Sequence, residues 1–550
     1  MPPTSQRRLQ NDPLSLSSPN SLVMAAMPLV YFAVLLALLI SAVQSFIGRK
    51  AGSDHPVHVF LMRRIRKNNF RLFVRIPDLL NDCYCAAVPL YIHWILAHFR
   101  TRMVLWSELL LNPVVNASHV ALLAGIAAYI CRRESLPLEL SGLSACLFAL
   151  TPQFYHALSA RNFGLSARGT GLFMLTAFFS AAYAAESLHV PGISWPVMVL
   201  LGWLVWGFST FAQQALCILS LLLFLLTGRY VPLAGALFGL GVFIALHPRY
   251  AAGYLRHTLR FIRTYAKELA PIYILQRRES IWRDLIWDIW RRFRTQATPQ
   301  AARYAYENSV IVILLLNPMT VWCCWIALHG EDMRHGIFGF CLSLAVCGAL
   351  AAFATSFRAT RFLGEPERYV EAVTPWAVLF AAHTLFERQG TPALIVIAAA
   401  FLLIDLAQLF GSSILVKYVS ESTPTLAGIE SLIDARWGAD ARVCSNNEHY
   451  TKMLMQHDWK YAYCLAVGQP YCGMTTAQSF SRFPVLRPEA CERIAEELRI
   501  NACLLDRKEY DSLFAVMPRT LRKMSVAYQS DRFRLLFLEW ASSDERSGES

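Results

Sequence analysis

Roughly ten separate apolar stretches run through residues 23–411 of this 550-residue chain, and no other feature constrains its fold as strongly. Hydrophobic residues make up 55% of the sequence and charged ones only 16%, which excludes an ordinary soluble globule. The first stretch, Val23 to Ile47, is longer than the roughly 20 residues that cross a bilayer core. It follows a polar, Ser-rich leader carrying Arg7 and Arg8, and no small-residue cleavage site comes after it. It therefore reads as a first span and not as a removed signal. The candidate spans are 23–47, 84–98, 114–131, 137–156, 169–187, 195–210, 211–227, 231–247, 306–328, 334–355, 369–386 and 391–411. The stretch 195–227 is too long for one crossing and predicts two helices, or one kinked helix, broken at Gly207-Phe208-Ser209. Segment 84–98 holds Pro89 and His93 in only 15 residues, so a partial or packed helix is the alternative to a crossing there.

The fold class expected is an α-helical polytopic membrane protein of about 11–12 transmembrane helices with a small C-terminal α/β soluble domain. The divisions are a polar leader over 1–22, a transmembrane domain over 23–411 with external loops 48–83 and 248–305, and a soluble domain over 412–550. In that last part Ala441 to Cys444, Ala502 to Leu505 and Phe533 to Leu538 read as strands, and Arg487 to Arg499 as a helix opened by Pro488 with Glu489 in its first turn. It has no Gly-rich phosphate loop, so nothing supports a nucleotide site.

The formal charge of +13 sits in loops between spans, which points to anionic lipid head groups or a lipid-linked phosphate and not to nucleic acid. Loop 248–305 carries twelve Lys or Arg against four acids, with Trp282, Leu285, Ile286, Ile289 and Phe293 at helical spacing, the signature of a helix lying in the membrane interface. Of fourteen cysteines, nine lie within or beside apolar spans. The five in the tail, Cys444, Cys464, Cys472, Cys491 and Cys503, are an odd set without CxxC spacing and read as buried thiols before any metal or redox site.

Titratable chemistry appears where the chain first leaves the bilayer, in Ser53-Asp54-His55-Pro56-Val57-His58. Charged groups near membrane level are costly and usually functional. Asp54 offers a base or an orienting carboxylate, and Arg63, Arg64, Arg66 and Lys67 follow on a helical pattern closed by Asn68-Asn69. Asp54 equally suits the cap of a helix that has Pro56 in its first turn, and both readings stand. His55 and His58, three apart, share a helical face and are candidate metal ligands without a full ligand set, so a divalent metal ion stays open as a cofactor.

Four blocks in order carry a resemblance. They are Asp54-His55-x-x-His58 after a first span; Val88-Pro89-Leu90-Tyr91-Ile92-His93-Trp94; Pro152-Gln153-Phe154-Tyr155-His156 leading to Arg161 and Arg168; and Gly364-Glu365-Pro366-Glu367-Arg368-Tyr369 opening a span with Pro375. Over residues 20–411 this order resembles the polyprenyl-phosphate-sugar-dependent membrane glycosyltransferases of the GT-C superfamily, which includes protein mannosyltransferases and lipid A aminoarabinose transferases. The resemblance implies transfer of a sugar from a polyprenyl-phosphate carrier to an envelope lipid, glycan or protein acceptor, in a bacterial-type inner membrane. It assigns the acidic catalytic role to Asp54; taken with the reading of the residues themselves, the candidates are Asp54, His55 and His58 for catalysis and Arg63, Arg64, Arg161, Arg168, Glu365, Glu367, Arg368 and Tyr369 for substrate binding. Many members add a second acidic residue after the Pro152-type block. This chain has no Asp or Glu between Pro152 and Gly171, so Glu365 or Glu367 would substitute.

A transporter would place ionisable groups in mid-span and show inverted repeats. Asp405 is the one clear mid-span carboxylate and no repeat is visible. A non-catalytic assembly subunit of an envelope polysaccharide system is a third reading. If 84–98 does not cross, eleven spans bring Asp54, the loops at 157–168, 248–305 and 357–368 and the tail to one side, as a single active site requires.

Overall fold

A computed structural model describes residues 19–48, 55–73, 76, 79–80, 89–156, 167–187, 191–264, 267–268, 287, 289–295, 308–329, 336–357, 360, 363–422, 426–455, 457–462, 471–482, 485–506, 521–530 and 533–540. Asp54, Arg161, Cys464, Trp282, Leu285 and Ile286 lie outside these residues, as does the side chain of His55.

The first helix, α1, spans Pro19–Gly48, followed by α2 over His55–Lys67, α3 over Tyr91–Ala97, α4 over Thr101–Arg133 and α5 over Glu139–Ala149. A 3-10 turn at Pro152–Tyr155 precedes α6, Ala167–Ser187. Then come α7 (Pro191–Phe208), α8 (Thr210–Thr227), α9 (Val231–Leu246), α10 (Pro248–Thr264) and α11 (Ile289–Thr295). The last membrane helices are α12 (Ser309–Leu316), α13 (Pro318–Leu328), α14 (Gly336–Thr355), α15 (Pro366–Gln389) and α16 (Thr391–Ser422).

Among the described residues, five helical stretches are long and apolar enough to cross a membrane: Met27–Ile47, Leu109–Arg133, Thr210–Thr227, Gly336–Thr355 and Thr391–Ile414. The predicted span 306–328 is instead two helices, α12 and α13, bent by 84° at Asn317-Pro318; together they make a sixth crossing if the bend lies within it. The predicted break in 195–227 is present, since α7 ends at Phe208 and Ser209 caps α8 by accepting a hydrogen bond from the Ala212 backbone. Among the described residues of segment 84–98 the helix is the seven-residue α3, about 10 Å long at 1.5 Å per residue, which is too short to cross. One side of it packs inward through Leu90, Tyr91, Ile92 and Ala97, while Trp94 and Ile95 are exposed.

Helices α7 and α9 approach through small residues. A β-carbon on Gly239 would sit 2.6 Å from the Gly202 carbonyl carbon, and one on Gly202 would sit 3.1 Å from the Gly235 carbonyl oxygen. In lipid, where apolar burial gives no net drive, such close backbone contact holds helices together. The interfacial helix expected around Trp282 to Phe293 lies mostly outside the described residues; the start of loop 248–305 forms α10, whose Tyr250, Ala251 and Tyr254 are buried while Leu259 is exposed. The predicted Ile289 and Phe293 fall on α11, where Phe293 is exposed.

The tail contains α17 (Ala427–Trp437), β1 (Arg442–Ser445), α18 (Glu448–Leu454), β2 (Lys460–Tyr461), α19 (Thr476–Ser479) and β3 (Phe480–Arg482). It continues through β4 (Val485–Leu486), α20 (Pro488–Glu497), β5 (Ala502–Asp506), β6 (Leu521–Gln529) and β7 (Phe533–Trp540). The main sheet runs β2-β1-β5-β7-β6, with β1 parallel to β2 and β5, and β7 antiparallel to β5 and β6. This is the small α/β domain that the sequence predicts. Strand residues alternate between two cores. Cys444, Cys503 and Leu505 face one that includes Cys491 and Ile494 of α20. Val443, Ala502 and Leu504 face another that includes Ile429 and Ile433 of α17 and Val57, Phe60, Leu61 and Ile65 of α2.

Helix α2 therefore has a buried apolar face. It completes the tail's core, with Phe60 edge-on to Tyr461 at 5.9 Å, Lys67 paired with Asp458 at 3.1 Å and Leu79 bridging to Tyr461. The loop after the first span and the tail therefore share one side of the membrane.

Candidate functional site at the break between α7 and α8

Ser209 is the place where the predicted site blocks meet. Tyr91 of α3 lies edge-on to Phe208 with ring centroids 6.1 Å apart, and its hydroxyl accepts from Trp203 Nε1 at 3.0 Å. Gly207 makes room for that ring: a β-carbon there would fall 2.0 Å from Tyr91 Cδ2. Near its start, α6 lies so close that a β-carbon on Gly171 would sit 2.6 Å from Ser209 Cβ. Arg168 is one turn earlier on the same helix and partly buried. From the other direction α15 brings Tyr369 to 5.7 Å from the Phe211 ring and the Arg368 guanidinium over that ring at 5.8 Å. The Tyr254 hydroxyl of α10 donates to Gln213 Oε1 at 2.9 Å.

Two helices thus begin at one level around the break, α8 at Thr210 and α15 at Pro366, and α6 packs against both of them. Helix N-termini carry partial positive charge and unpaired N–H groups, so these two with Arg168 and Arg368 form an anion-attracting mouth. Its floor is polar and ordered. Gln153 Nε2 donates to the Glu367 carbonyl at 2.5 Å, Asn317 Nδ2 donates to Gln153 Oε1 and to Thr374 Oγ1 at 2.7 Å each, and Gln408 Nε2 donates to the Pro152 carbonyl at 3.0 Å. The Pro152 block therefore positions the start of α15.

At that start Gly364 adopts φ +116°, a conformation suited to glycine, and Glu365 occupies the N-cap. Arg368 forms an ion pair with Glu365 one turn away, and the Tyr369 hydroxyl donates to the Leu363 carbonyl. Glu367 is 2% exposed, with one carboxylate oxygen lacking a hydrogen-bond partner. Of the predicted residues, Glu365, Glu367, Arg368, Tyr369 and Arg168 are brought together at the break. Arg63 and Arg64 are not. Arg64 is buried with its guanidinium over Phe60 at 4.9 Å, and Arg63 lines a polar cleft with Glu430, Asp434, His457 and Asp458 of the tail. Asn317, Thr374 and Gln408 were not singled out by the sequence, although Asn-Pro at 317–318 inside an apolar run is a recognisable break signal.

His58 is paired with a residue distant in the sequence. Its Nδ1 lies 2.7 Å from Nε2 of His93, a residue the sequence reading left to packing. Two nitrogens on a tetrahedral zinc at 2.0–2.1 Å would be about 3.3 Å apart, so this pair shares a proton and does not fit a shared metal ion. Burial, followed by the neighbouring His58, holds His93 well below the ordinary histidine value, against a backbone hydrogen bond at Pro89. A depressed folded-state value means that the unfolded chain binds more protons in acid, so stability is lost as pH falls below about 6.5. The unfolding midpoint of the detergent-solubilised protein is expected to drop between pH 7 and 5, and to drop less in His93→Gln. Equal pH slopes for the two proteins would refute the assignment.

No protein-family profile matches the sequence and no curated protein matches it. Solved structures do. The apo oligosaccharyltransferase of Archaeoglobus fulgidus superposes with a TM-score of 0.51 at 13% identity, over 87% of this chain and 70% of that one. ArnT from Cupriavidus metallidurans bound to undecaprenyl phosphate gives 0.46 at 12% identity, over 94% of this chain and 98% of that one. AglB from Archaeoglobus fulgidus, in complex with an inhibitory peptide and a dolichol-phosphate, gives 0.49 at 13% identity, over 89% and 70%. The superposition on the apo archaeal enzyme extends over most of this chain, and the fold the two share is the polytopic GT-C fold.

Proposed function

We propose that the protein is a membrane glycosyltransferase that takes its sugar from a polyprenyl-phosphate carrier. The observation that supports this best is the convergence of the N-termini of α8 and α15 with Arg168 and Arg368 beside the α7–α8 break, a setting matched to a phosphate leaving group held at membrane level. In the reaction, Asp54 removes the proton of the acceptor hydroxyl or amine as that atom attacks the anomeric carbon. The bond from that carbon to the carrier phosphate oxygen breaks, and the negative charge left on the phosphate is received by the arginines and the helix ends. Helix α2, which begins immediately after Asp54, reaches the break through His58, His93 and Tyr91. No step is routed through a metal. The acceptor we propose is an envelope lipid, glycan or protein, and the membrane a bacterial inner membrane with α2 and the tail on its outer side.

The purified protein in lipid nanodiscs, given a polyprenyl-phosphate sugar and an envelope extract that supplies the acceptor, is expected to release polyprenyl phosphate, with the carrier also found by mass spectrometry of co-purifying lipids. Absence of both signals would defeat the proposal. Arg368→Ala should weaken carrier binding by the 1.5–3 kcal/mol typical of a charge-assisted hydrogen bond, about tenfold or more, and beyond Arg368→Lys, because only a guanidinium forks onto two phosphate oxygens. Equal affinities for the wild type and both variants would leave Arg368 as the partner of Glu365 alone.

Sidedness has its own test. Ser445 is buried, so the exposed Ser525 of β6 is the better reporter for the tail. A cysteine at Ser525, in a background lacking the native ones, is expected to react with a membrane-impermeant thiol reagent in intact spheroplasts. Labelling only after lysis would place the tail, and α2 with it, in the cytoplasm.

A further inference from the structure

Three cysteines that sequence spacing does not relate come together inside the tail. Cys444 of β1 and Cys503 of β5 are register partners on adjacent parallel strands, and their sulfurs are 3.4 Å apart. Cys491 reaches the same point from α20, so that all three sulfur atoms lie within 4.8 Å of one another. Each residue is fully buried. The surroundings are apolar side chains, among them Met474, Leu486, Ile494, Leu505 and Leu538. Buried thiols usually act as small hydrophobes, scattered through a core. Three converging on one point from two strands and a helix are a donor set.

We propose that Cys444, Cys491 and Cys503 form a site for a single thiophilic metal ion that ties β1, β5 and α20 together. Thiolate sulfurs held about 2.3 Å from an ion stand about 3.8 Å apart in a tetrahedral sphere and about 4.0 Å apart in a planar one, values between the 3.4 Å of the Cys444–Cys503 pair and the 4.8 Å within which all three sulfurs lie. Sulfur ligands select soft or borderline ions, copper(I) and zinc(II) foremost, over magnesium, calcium or manganese. Charge favours zinc, because three thiolates leave it with one net negative charge in a dry core, whereas copper(I) would carry two. Binding displaces the thiol protons to solvent and involves no electron transfer. This inference is independent of the glycosyltransferase reading, since the site lies in the second core of the tail, away from the α7–α8 break.

The test uses the reduced full-length protein in detergent, stripped of metal under anaerobic conditions. Cobalt(II), as a spectroscopic stand-in for zinc, is expected to give intense thiolate-to-metal charge-transfer absorption that saturates at one ion per chain and is erased by zinc. A parallel titration with copper(I) against a competing chelator identifies which ion binds more tightly. Cys491→Ser and Cys503→Ser should lose at least tenfold in affinity, and Cys472→Ser should not. Because a core variant can fail to fold, X-ray absorption on the wild type gives an answer without one: a coordination sphere dominated by sulfur supports the site. A sphere of oxygen and nitrogen, saturation with neither ion, or unchanged affinity in Cys491→Ser would overturn it. So would recovery of Cys444 and Cys503 as a disulfide that metal does not prevent.

Discussion

Asp54→Asn is expected to lower sugar transfer by about 10²–10⁴, the range associated with loss of a positioned general base, while the protein remains inserted and folded. The amide keeps the shape and the hydrogen-bonding reach of the carboxylate and loses only its basicity. Helix capping predicts something different. Asn is as good an N-cap as Asp, so if Asp54 served only to start α2, the variant would behave like the wild type in both stability and turnover. A near-normal rate would therefore remove the catalytic assignment and leave the cap. Binding of the carrier should change little in the variant, because the phosphate is assigned to Arg168 and Arg368 at the α7–α8 break.

The second large effect is expected at Gly207. Any β-carbon there would lie 2.0, 2.2 and 2.4 Å from three atoms of the Tyr91 ring, next to its attachment point and not at a flexible tip. The ring cannot swing away freely, since its hydroxyl is bonded to Trp203 and the Leu90 N–H donates to the Tyr250 hydroxyl at 3.2 Å. Gly207→Ala must therefore push α3 off α7. Overpacking of this kind costs about 1–3 kcal/mol, and here it also displaces the His58–His93 pair that joins α2 to the membrane helices. A lower unfolding midpoint and a loss of transfer should appear together. Adding Tyr91→Ala should recover part of the stability, with a coupling of about 0.5–3 kcal/mol between the two sites. If Gly207→Ala is as stable and as active as the wild type, the contact between α3 and the break has been misread.

Local signals were readable wherever one segment carried them. Gly207-Phe208-Ser209 stood out as a polar interruption in a long apolar run, and it is the break around which the site is built. In the tail, Val443 to Cys444 and Leu504 to Leu505 are short apolar runs that became the central strands. What failed to show was set by contacts distant in sequence. His93 looked like packing because its partner, His58, is 35 positions away. The burial of α2 was not readable because the strands that cover it arrive almost 400 residues later. Strand β6 escaped notice because most of its residues, such as Arg522 and Lys523, are exposed. Segment 84–98 was apolar enough to suggest a span but too short to be one, and composition does not distinguish the two. The cysteine trio lacks any motif spacing because its members come from three different elements.

The insertion of α2 into the tail's core also sets a timetable for biogenesis. Ribosomes deliver about 5–20 residues each second, so Phe60 and Ile65 wait roughly 20–80 s for Tyr461 to appear. During that interval an apolar face meant for the tail stands open beside the membrane, in reach of translocation machinery, chaperones and membrane proteases. Prematurely terminated chains never close it. The docking of the last domain onto one of the first helices thus works as a seal of completion, which only a full-length copy carries into the membrane.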